Sequence, residues 1–379
     1  MRPLLIGSEI YRGSTYGPKH PLAIPRVSTT LDLIRAMGWV GEGQYLESPR
    51  ATPEELARFH TPAYIAALMQ AEATQRVDPA HRERHRIGAD GNPVYAQVFS
   101  RPATSAGGVL LAARRTAGGG VVHVPGGGTH HGTPDRASGF CYVNDAVLGL
   151  MEWLDQGLTN ILYVDLDAHH GDGVQDAFHD DIRVFTLSMH EHGRWPHTGE
   201  LDDRAGGHAR NLPVPAGLND TEALFLLAHA ILPVAKLLRP QAIMIQAGAD
   251  ALEEDPLARL SLSNLFHRRA VAGLMPLAPR LVLLGGGGYN PWSVARCWAG
   301  LWATLNGLPI PPRLPPAAEA VLRGLSWSRA AGRNPPEHWF TTLADTPRPG
   351  PLREEVKLIA IATLRDLVEG PRAVPSWMA

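Results

Sequence analysis

Residues 161–173 read ILYVDLDAHHGDG. The opening run, Ile161 to Val164, is continuously apolar, the pattern of a strand buried on both faces. It then turns abruptly into acids, histidines and glycines. Strand side chains alternate with a period of two, so Asp165, Asp167 and His169 point to one side. Two carboxylates and an imidazole on a buried face are costly unless paired or bound to a metal. The stretch is therefore expected to hold a divalent metal, with other segments completing the site.

On both sides of it, strand-like and helix-like segments alternate. A helix over 102–117 leads to VVHVP (121–125) and a glycine turn, GGGTHHG (126–132). A helix over 144–156 leads into the metal stretch, and IRVFTLSMH (182–190) reads as the next strand. A long amphipathic helix over 221–240 precedes the strand QAIMIQAGAD (241–250). RLVLLGGGGYN (280–290) is a further strand, followed by a helix over 292–307. This order predicts an α/β fold, an open parallel sheet with helices on both faces. Sites in such sheets lie beyond the carboxyl ends of the strands, so GGGTHHG, DLDAHHGDG, QAGAD and GGGGYN are expected to converge there.

Earlier in the chain, 28–40 and 53–73 carry apolar residues at helical spacing, the second with Thr52 as a cap and Glu55 three positions on. The charged stretch 74–93, broken by proline and glycine, reads as a solvated loop or as the rim of an active-site mouth. The Pro- and Trp-rich tail, 308–379, holds one helix, EEVKLIAIATLRDLVEG, and is expected to wrap the core of a single domain, 1–379.

The chain has 379 residues, 44% hydrophobic and 19% charged, with a formal net charge of −2. No global basic field points to nucleic acid or to an anionic membrane. Its cations are almost all arginine; the lysines are Lys19, Lys236 and Lys357. Cysteines occur only at Cys141 and Cys297, which builds no disulfide framework and suits a reducing, cytoplasmic setting. The N-terminus, MRPLLIGSEIYRGS, lacks the apolar core of a secretory signal, and no apolar run reaches the roughly 20 residues of a membrane span.

Asp167, His169 and Asp250 would give a zinc ion two carboxylates and an imidazole, with a position open for water and substrate. The plainer readings are a buried ion pair for Asp167 and His169, and a helix N-cap for Asp250, a role that Asp255 fits as well. His130 and His131 follow three glycines, whose freedom lets a tight turn push side chains into a crevice, where they could serve as base and electrostatic partner; alone, such a pair could be a surface accident. Asp165 and Asp172 remain to orient them. Tyr289, after Gly285 to Gly288, could donate to an oxyanion or simply pack. A phosphate loop would continue into lysine and a hydroxyl residue, whereas Asn290 and Pro291 follow. Phe140 reads as pocket wall or core, and Cys141 as a buried thiol without a basic activator. His190, His192, His197 and His208 show no ligand spacing and are read as structural or rim residues.

Taken together, HPLAIPRVS (20–28), FHTPAYI (59–65), PGGGTHHGTPDRASGFCYVNDAVL (125–148), LYVDLDAHHGDGVQDAF (162–178), VFTLSMH (184–190), QAGADALEEDPL (246–257) and LGGGGYNPWSVARCW (284–298) resemble the zinc-dependent histone deacetylase family. Within it the chain looks like the bacterial acetoin-utilisation-type, class I-like deacetylases. The resemblance implies an arginase-like fold and hydrolysis of N-acetyl (acyl) amides, above all acetyl-lysine in proteins or peptides, with release of acetate. It implies one zinc ion on Asp167, His169 and Asp250, tandem histidines His130 and His131 backed by Asp165 and Asp172, and Tyr289 as the transition-state donor. It further implies substrate contacts at Gly139, Phe140 and Trp195, and Arg26 in an acetate-release cavity. A structural K+ or Na+ is implied at Asp165, Asp167, His169 and Ser188, largely through main-chain oxygens. Class I enzymes place a rim aspartate two residues before a proline; here Gly91 holds that spacing before Pro93, and Asp90 stands one place early. Leu257 stands where polyamine deacetylases of the family carry a glutamate, which favours a neutral, lysine-like chain, although Glu253 and Glu254 are near. Competing readings are an acetylpolyamine or other small N-acetyl-amine deacetylase, a binuclear-manganese ureohydrolase, and a pseudoenzyme that binds acylated ligands without turnover.

Overall fold

The apolar run at 161–164 sits at the middle of the molecule. In the computed structural model, which describes residues 2–369, it is part of β4 (Ile161–Asp165), buried at every position. The sheet holds eight parallel strands: β1 (Leu4–Gly7), β2 (Tyr45–Glu47), β3 (Gly120–Val124), β4, β5 (Val184–Glu191), β6 (Ala209–Val214), β7 (Ala242–Gln246) and β8 (Arg280–Leu284), in the order β2-β1-β3-β8-β7-β4-β5-β6. Alternation along β4 sends Leu162 and Val164 into one apolar cluster with Ile243 and Leu283, and Ile161 and Tyr163 into another with Met244 and Val282. Both faces are therefore core, which is why the strand carries no polar residue until its end.

One face is covered by α1 (Arg26–Ala36), which packs on the helix that follows β8, and the other by α2 (Ser100–Arg115) and α3 (Asp145–Asp155), which pack on each other. A short helix, α4 (Asp172–Ala177), follows the turn beyond β4. Next come α5 (Asp220–Leu238), α6 (Asn264–Leu274) and α7 (Pro291–Leu305). By length and apolarity alone α5 could cross a membrane, but half of it is buried in the fold. It is also not uniform. A π turn at Leu227–Ile231 stands just before Pro233, whose ring and missing N–H disturb the regular ladder.

The expected helical stretch 53–73 is two helices, Pro53–Leu56 and Pro62–Thr74, because Pro62 starts a helix instead of continuing one. The first carries the expected capping box between Thr52 and Glu55. β1, β2 and β6 were not anticipated. β6 contains Pro213, tolerable because the strand lies at the sheet edge. In the tail, a helix at Pro316–Arg323 packs on α1, and α8 (Glu354–Glu369) lies against β6 and α5. The part of the tail expectation that falls on 370–379 lies outside the described residues.

Register places the site. Val124, Leu284, Gln246 and Asp165 are successive partners across β3, β8, β7 and β4. All four strands thus end at one level, and the loops that follow them meet beyond their carboxyl ends.

Candidate active site

Just past the end of β4, Asp167, His169 and Asp250 offer ligand atoms that lie within 4.8 Å of one another, all buried. His169 Nδ1 is 3.1 Å from Asp167 Oδ1 and 3.0 Å from Asp250 Oδ2. Asp167 Oδ2 accepts from the Gly287 amide at 2.7 Å and from Gln246 Nε2 at 2.9 Å, and Asp250 Oδ1 accepts from the Ala168 amide at 2.9 Å. Asp250 is therefore a member of this cluster and not a helix cap; the helix that follows, α6, is capped by Ser263. Burial opposes the charge on His169, yet its bonds to Asp167 and Asp250 raise it to about 10. Burial and the neighbouring Asp167 charge push Asp250 up to about 6. A cation is thus held between two carboxylates, and a divalent ion displacing the imidazole proton would satisfy the same three donors. The glycines leave room for this. A Cβ on Gly287 would stand 2.1 Å from Asp250 Oδ2, and one on Gly248 2.0 Å from Asp167 Oδ2.

The GGGTHHG loop is fastened by the start of α3. Asp145 accepts from the Gly128 and Thr129 amides at 2.9 and 3.0 Å, and Asn144 Nδ2 donates to the His130 and Gly132 carbonyls at 3.2 and 2.9 Å. Gly128, at φ +98°, approaches β8's loop so closely that a Cβ would lie 2.7 Å from the Gly286 nitrogen. So held, His130 Nδ1 is 2.8 Å from Asp165 Oδ2, and His131 Nδ1 is 2.7 Å from Asp172 Oδ1. The two ring centroids are 3.8 Å apart, too close for both to carry a positive charge comfortably. Burial disfavours charge on both, but Asp165 and Asp167 lift His130 to about 9. For His131, burial and the His130 charge prevail, and it falls to about 4. His131 is the neutral partner, its Nδ1 engaged by Asp172 and its Nε2 left to accept a proton.

Tyr289 lies between two spaces. One is an inner cavity of about 60 Å³ that also meets Arg26 and Arg101; the other is an outer cleft of about 930 Å³. His131, Gly139, Phe140 and Tyr289 line both. Burial and the nearby carboxylates hold the Tyr289 phenol well above its usual range, so it keeps a proton to donate. Phe140 faces Tyr289 edge-on at 6.0 Å, and Trp195, 40% exposed, faces His131 at 4.6 Å. Gly139 sits between them, where a Cβ would be 2.4 Å from the Trp195 ring. Arg26 donates to the Gly286 and Gly288 carbonyls at 2.7 and 3.3 Å. Asp165 and Ser188 are register partners on β4 and β5, and the Ser188 hydroxyl is bonded to His190 at 2.9 Å.

Several residues fall where the sequence left choices. Asp255 takes no helix-cap role; it is buried and accepts from the Tyr289 and Leu257 amides at 2.6 and 2.8 Å. Leu257 lines the outer cleft. Gly91 cannot carry an aspartate without adjustment, since it has φ +80° and a Cβ there would stand 2.6 Å from the Phe140 ring; Asp90 lines the cleft instead. Arg86, Asp90 and Asn92 put the stretch 74–93 on the cleft wall. His192 and His197 also line it, whereas His190 is buried against the Gly199 carbonyl and His208 lies at the entry to β6. Cys141 is buried and burial raises its thiol out of the reactive range. Gln246, Asp145 and Arg101 carry no signal of their own in the sequence; that of Asn144 is its place as the N-cap of α3.

Comparison with known proteins agrees with this geometry. Residues 20–305 match the histone deacetylase domain family. The chain is 32% identical to the acetoin utilization protein AcuC of Bacillus subtilis, over 93% of each chain. It is 36% identical to histone deacetylase 9 of Arabidopsis thaliana, over 80% of this chain and 73% of that one. Among solved structures, an HDAC homolog complexed with SAHA superposes with a TM-score of 0.91 at 37% identity, covering 96% of this chain and all of the other. An HDAC homolog from Aquifex aeolicus gives a TM-score of 0.90 at the same identity. With its strand ends, paired histidines and buried acids in this arrangement, the chain belongs to the histone deacetylase family.

Proposed function

We propose that the protein is a zinc-dependent deacetylase that hydrolyses N-acetyl amides, with acetyl-lysine in proteins or peptides as substrate and acetate as product. The observation that carries the reading is His131, neutral and backed by Asp172, beside the Asp167–His169–Asp250 cluster and opposite Tyr289. Two carboxylates and one imidazole with an open side suit zinc. When bound, such an ion supplies Lewis acidity to the acyl carbonyl and a lowered pKa to water. The chain's own groups do the rest. The acyl-amine chain lies in the outer cleft between Phe140 and Trp195, with its carbonyl at the Tyr289 hydroxyl. His131 Nε2 takes a proton as water attacks, and delivers it to the amine nitrogen as the C–N bond breaks. Tyr289 donates to the oxygen as negative charge grows there, and protonated His130 places a positive charge alongside. Asp172 holds the neutral His131 ring in its tautomer, and Asp165 orients the His130 imidazolium.

Arg26, in the inner cavity, suits a released carboxylate; the cavity's 60 Å³ admits acetate or a few waters. A K+ or Na+ ion at the main chain of Asp165, Asp167 and His169 with Ser188 belongs to the same reading. Two buried, unpaired cysteines go with a cytoplasmic setting. A binuclear manganese site would need further bridging carboxylates, and the adjacent Asp165 and Asp172 are engaged by imidazoles.

The deciding experiment strips metal with a chelator, restores zinc or manganese, and measures acetate and urea release with acetyl-lysine peptide, acetylpolyamine and guanidino substrates. Acetate from the peptide with one zinc per chain is expected. Two manganese ions per active chain with urea release, or acyl-ligand binding without any turnover, overturns the proposal.

A further inference from the structure

The deacetylase reading leaves the substrate's surroundings open, and the charges at the cleft mouth address them. Four arginines and two carboxylates line the outer cleft: Arg86, Arg136, Arg194, Arg259, Asp90 and Glu191. Both carboxylates are already engaged. Glu191 is buried and held by Arg194 in a two-pronged pair at 2.6 and 2.7 Å, and its Oε2 also accepts from the Arg259 amide at 2.8 Å. Asp90 faces Arg86 at 3.4 Å. Arg136 and Arg259 are exposed, and neither guanidinium has a hydrogen bond, ion pair or ring contact with a described residue. Arg136 is held at the mouth by its backbone, whose carbonyl accepts from the Thr133 amide and hydroxyl. The lining thus keeps two positive charges in surplus and no unpaired negative one.

Outside the lining, two acids on the pocket loop share one cation and so offset that surplus only in part. Glu253 and Glu254 are both bonded by Arg348, which reaches back from the tail. With Leu257 on the cleft wall, nothing there calls for a second cation on the substrate.

Resting on the deacetylase reading, we infer that Arg136 and Arg259 form an anion-recognising rim, which selects acyl-amine substrates bearing a carboxylate beside the acylated chain. Such a rim repels polyamines and lysine-rich segments. The carboxylate could come from acidic side chains flanking acetyl-lysine in a protein or from the α-carboxylate of a free acyl amino acid; the chemistry recognised is the same.

The test takes the metal-loaded full chain and acetyl-lysine peptides of one length, flanked on both sides by aspartate, glycine or arginine. Free Nε-acetyl-lysine and its carboxamide form a second pair. Turnover is measured with the wild type, and affinity by calorimetry with Tyr289→Phe. In low salt the aspartate peptide is expected to exceed the arginine peptide by about tenfold in both kcat/KM and affinity, two exposed charges acting together. That ratio shrinks at 0.5 M salt, where the Debye length is only a few ångströms. In Arg136→Glu/Arg259→Glu it reverses, and because a ratio is read, a general loss of activity in the variant cancels. A preference confined to the peptides assigns the carboxylate to a protein segment; one confined to the free acid assigns it to a small molecule. No difference in either pair, an arginine preference, or a ratio unmoved by the double variant overturns the inference. Absent turnover with the affinity order intact would instead count against the deacetylase reading alone.

Discussion

Tyr289 is the side chain on which most of the proposed chemistry converges, and its own placement depends on a carboxylate. Four glycines precede it, so its backbone has unusual freedom, and the Tyr289 amide is tied down by Asp255 at 2.6 Å. Tyr289→Phe is expected to lower kcat by about 10²–10³ with zinc content unchanged, as for a lost oxyanion donor. Asp255→Asn keeps the shape but leaves one side-chain oxygen for the two amides that the aspartate accepts from. It should lower kcat by about tenfold while KM moves little, because the binding walls stay in place; a KM rise with kcat intact would assign Asp255 to substrate binding. The clustering of Asp167, His169 and Asp250 and the pairing of the two histidines with acids were readable beforehand because such chemistry is improbable for a buried strand end. Asp255 was not, since an aspartate before proline reads as a cap, and only the fold brings it under Tyr289. Gln246 and Arg348 were silent for the same reason. Each is an ordinary residue until its partner arrives from another segment.

The loops that carry these side chains are fixed by contact as much as by sequence. Gly139 has φ +52° and lies against both Trp195 and His131, where a Cβ would fall at 2.4 and 2.6 Å. In Gly139→Ala the chain must move the indole or the base, and pay a left-handed backbone besides. Steady-state kinetics should show kcat/KM reduced by at least about tenfold, with zinc still bound; unchanged kinetics would show that the two walls yield freely. The strands that lead into the site were legible because long apolar runs ended in glycine and acid. β1, β2 and β6 were not: two of them are only three or four residues long, and β6 hides its pattern behind Arg210, Asn211 and Pro213. The stretch 53–73 kept a helical period through Pro62, so periodicity alone ran across a break that the proline imposes.

Across the whole molecule, acid should loosen the fold through buried histidines that line neither the inner cavity nor the outer cleft. His60 and His123 are buried, and burial holds each near 4, below the unfolded value of about 6.5. Between those values the unfolded chain binds the extra protons. The stability they contribute is complete above about pH 6.5 and is lost as pH falls toward 4, on the order of 3 kcal/mol for each. Thermal melts from pH 7 to 4.5 should show a falling Tm, with a shallower slope in His60→Gln; a slope identical to wild type would exclude His60 as a contributor. The overall architecture was legible because alternating strands and helices admit few arrangements. The closure of its edge by α8 was not, since it depends on a contact between residues about 150 positions apart, as in Arg210 Nε donating to the Thr363 carbonyl.

The shared wall of His131, Gly139, Phe140 and Tyr289 divides the interior into two rooms. Under the proposed reaction the amine withdraws through the outer room, while acetate is left in the inner one. The two products then do not contend for the same space, and neither must wait for the other. Retained acetate would slow the cycle by occupying a chamber that the amine never enters, so crowding it out with more substrate would not relieve the delay.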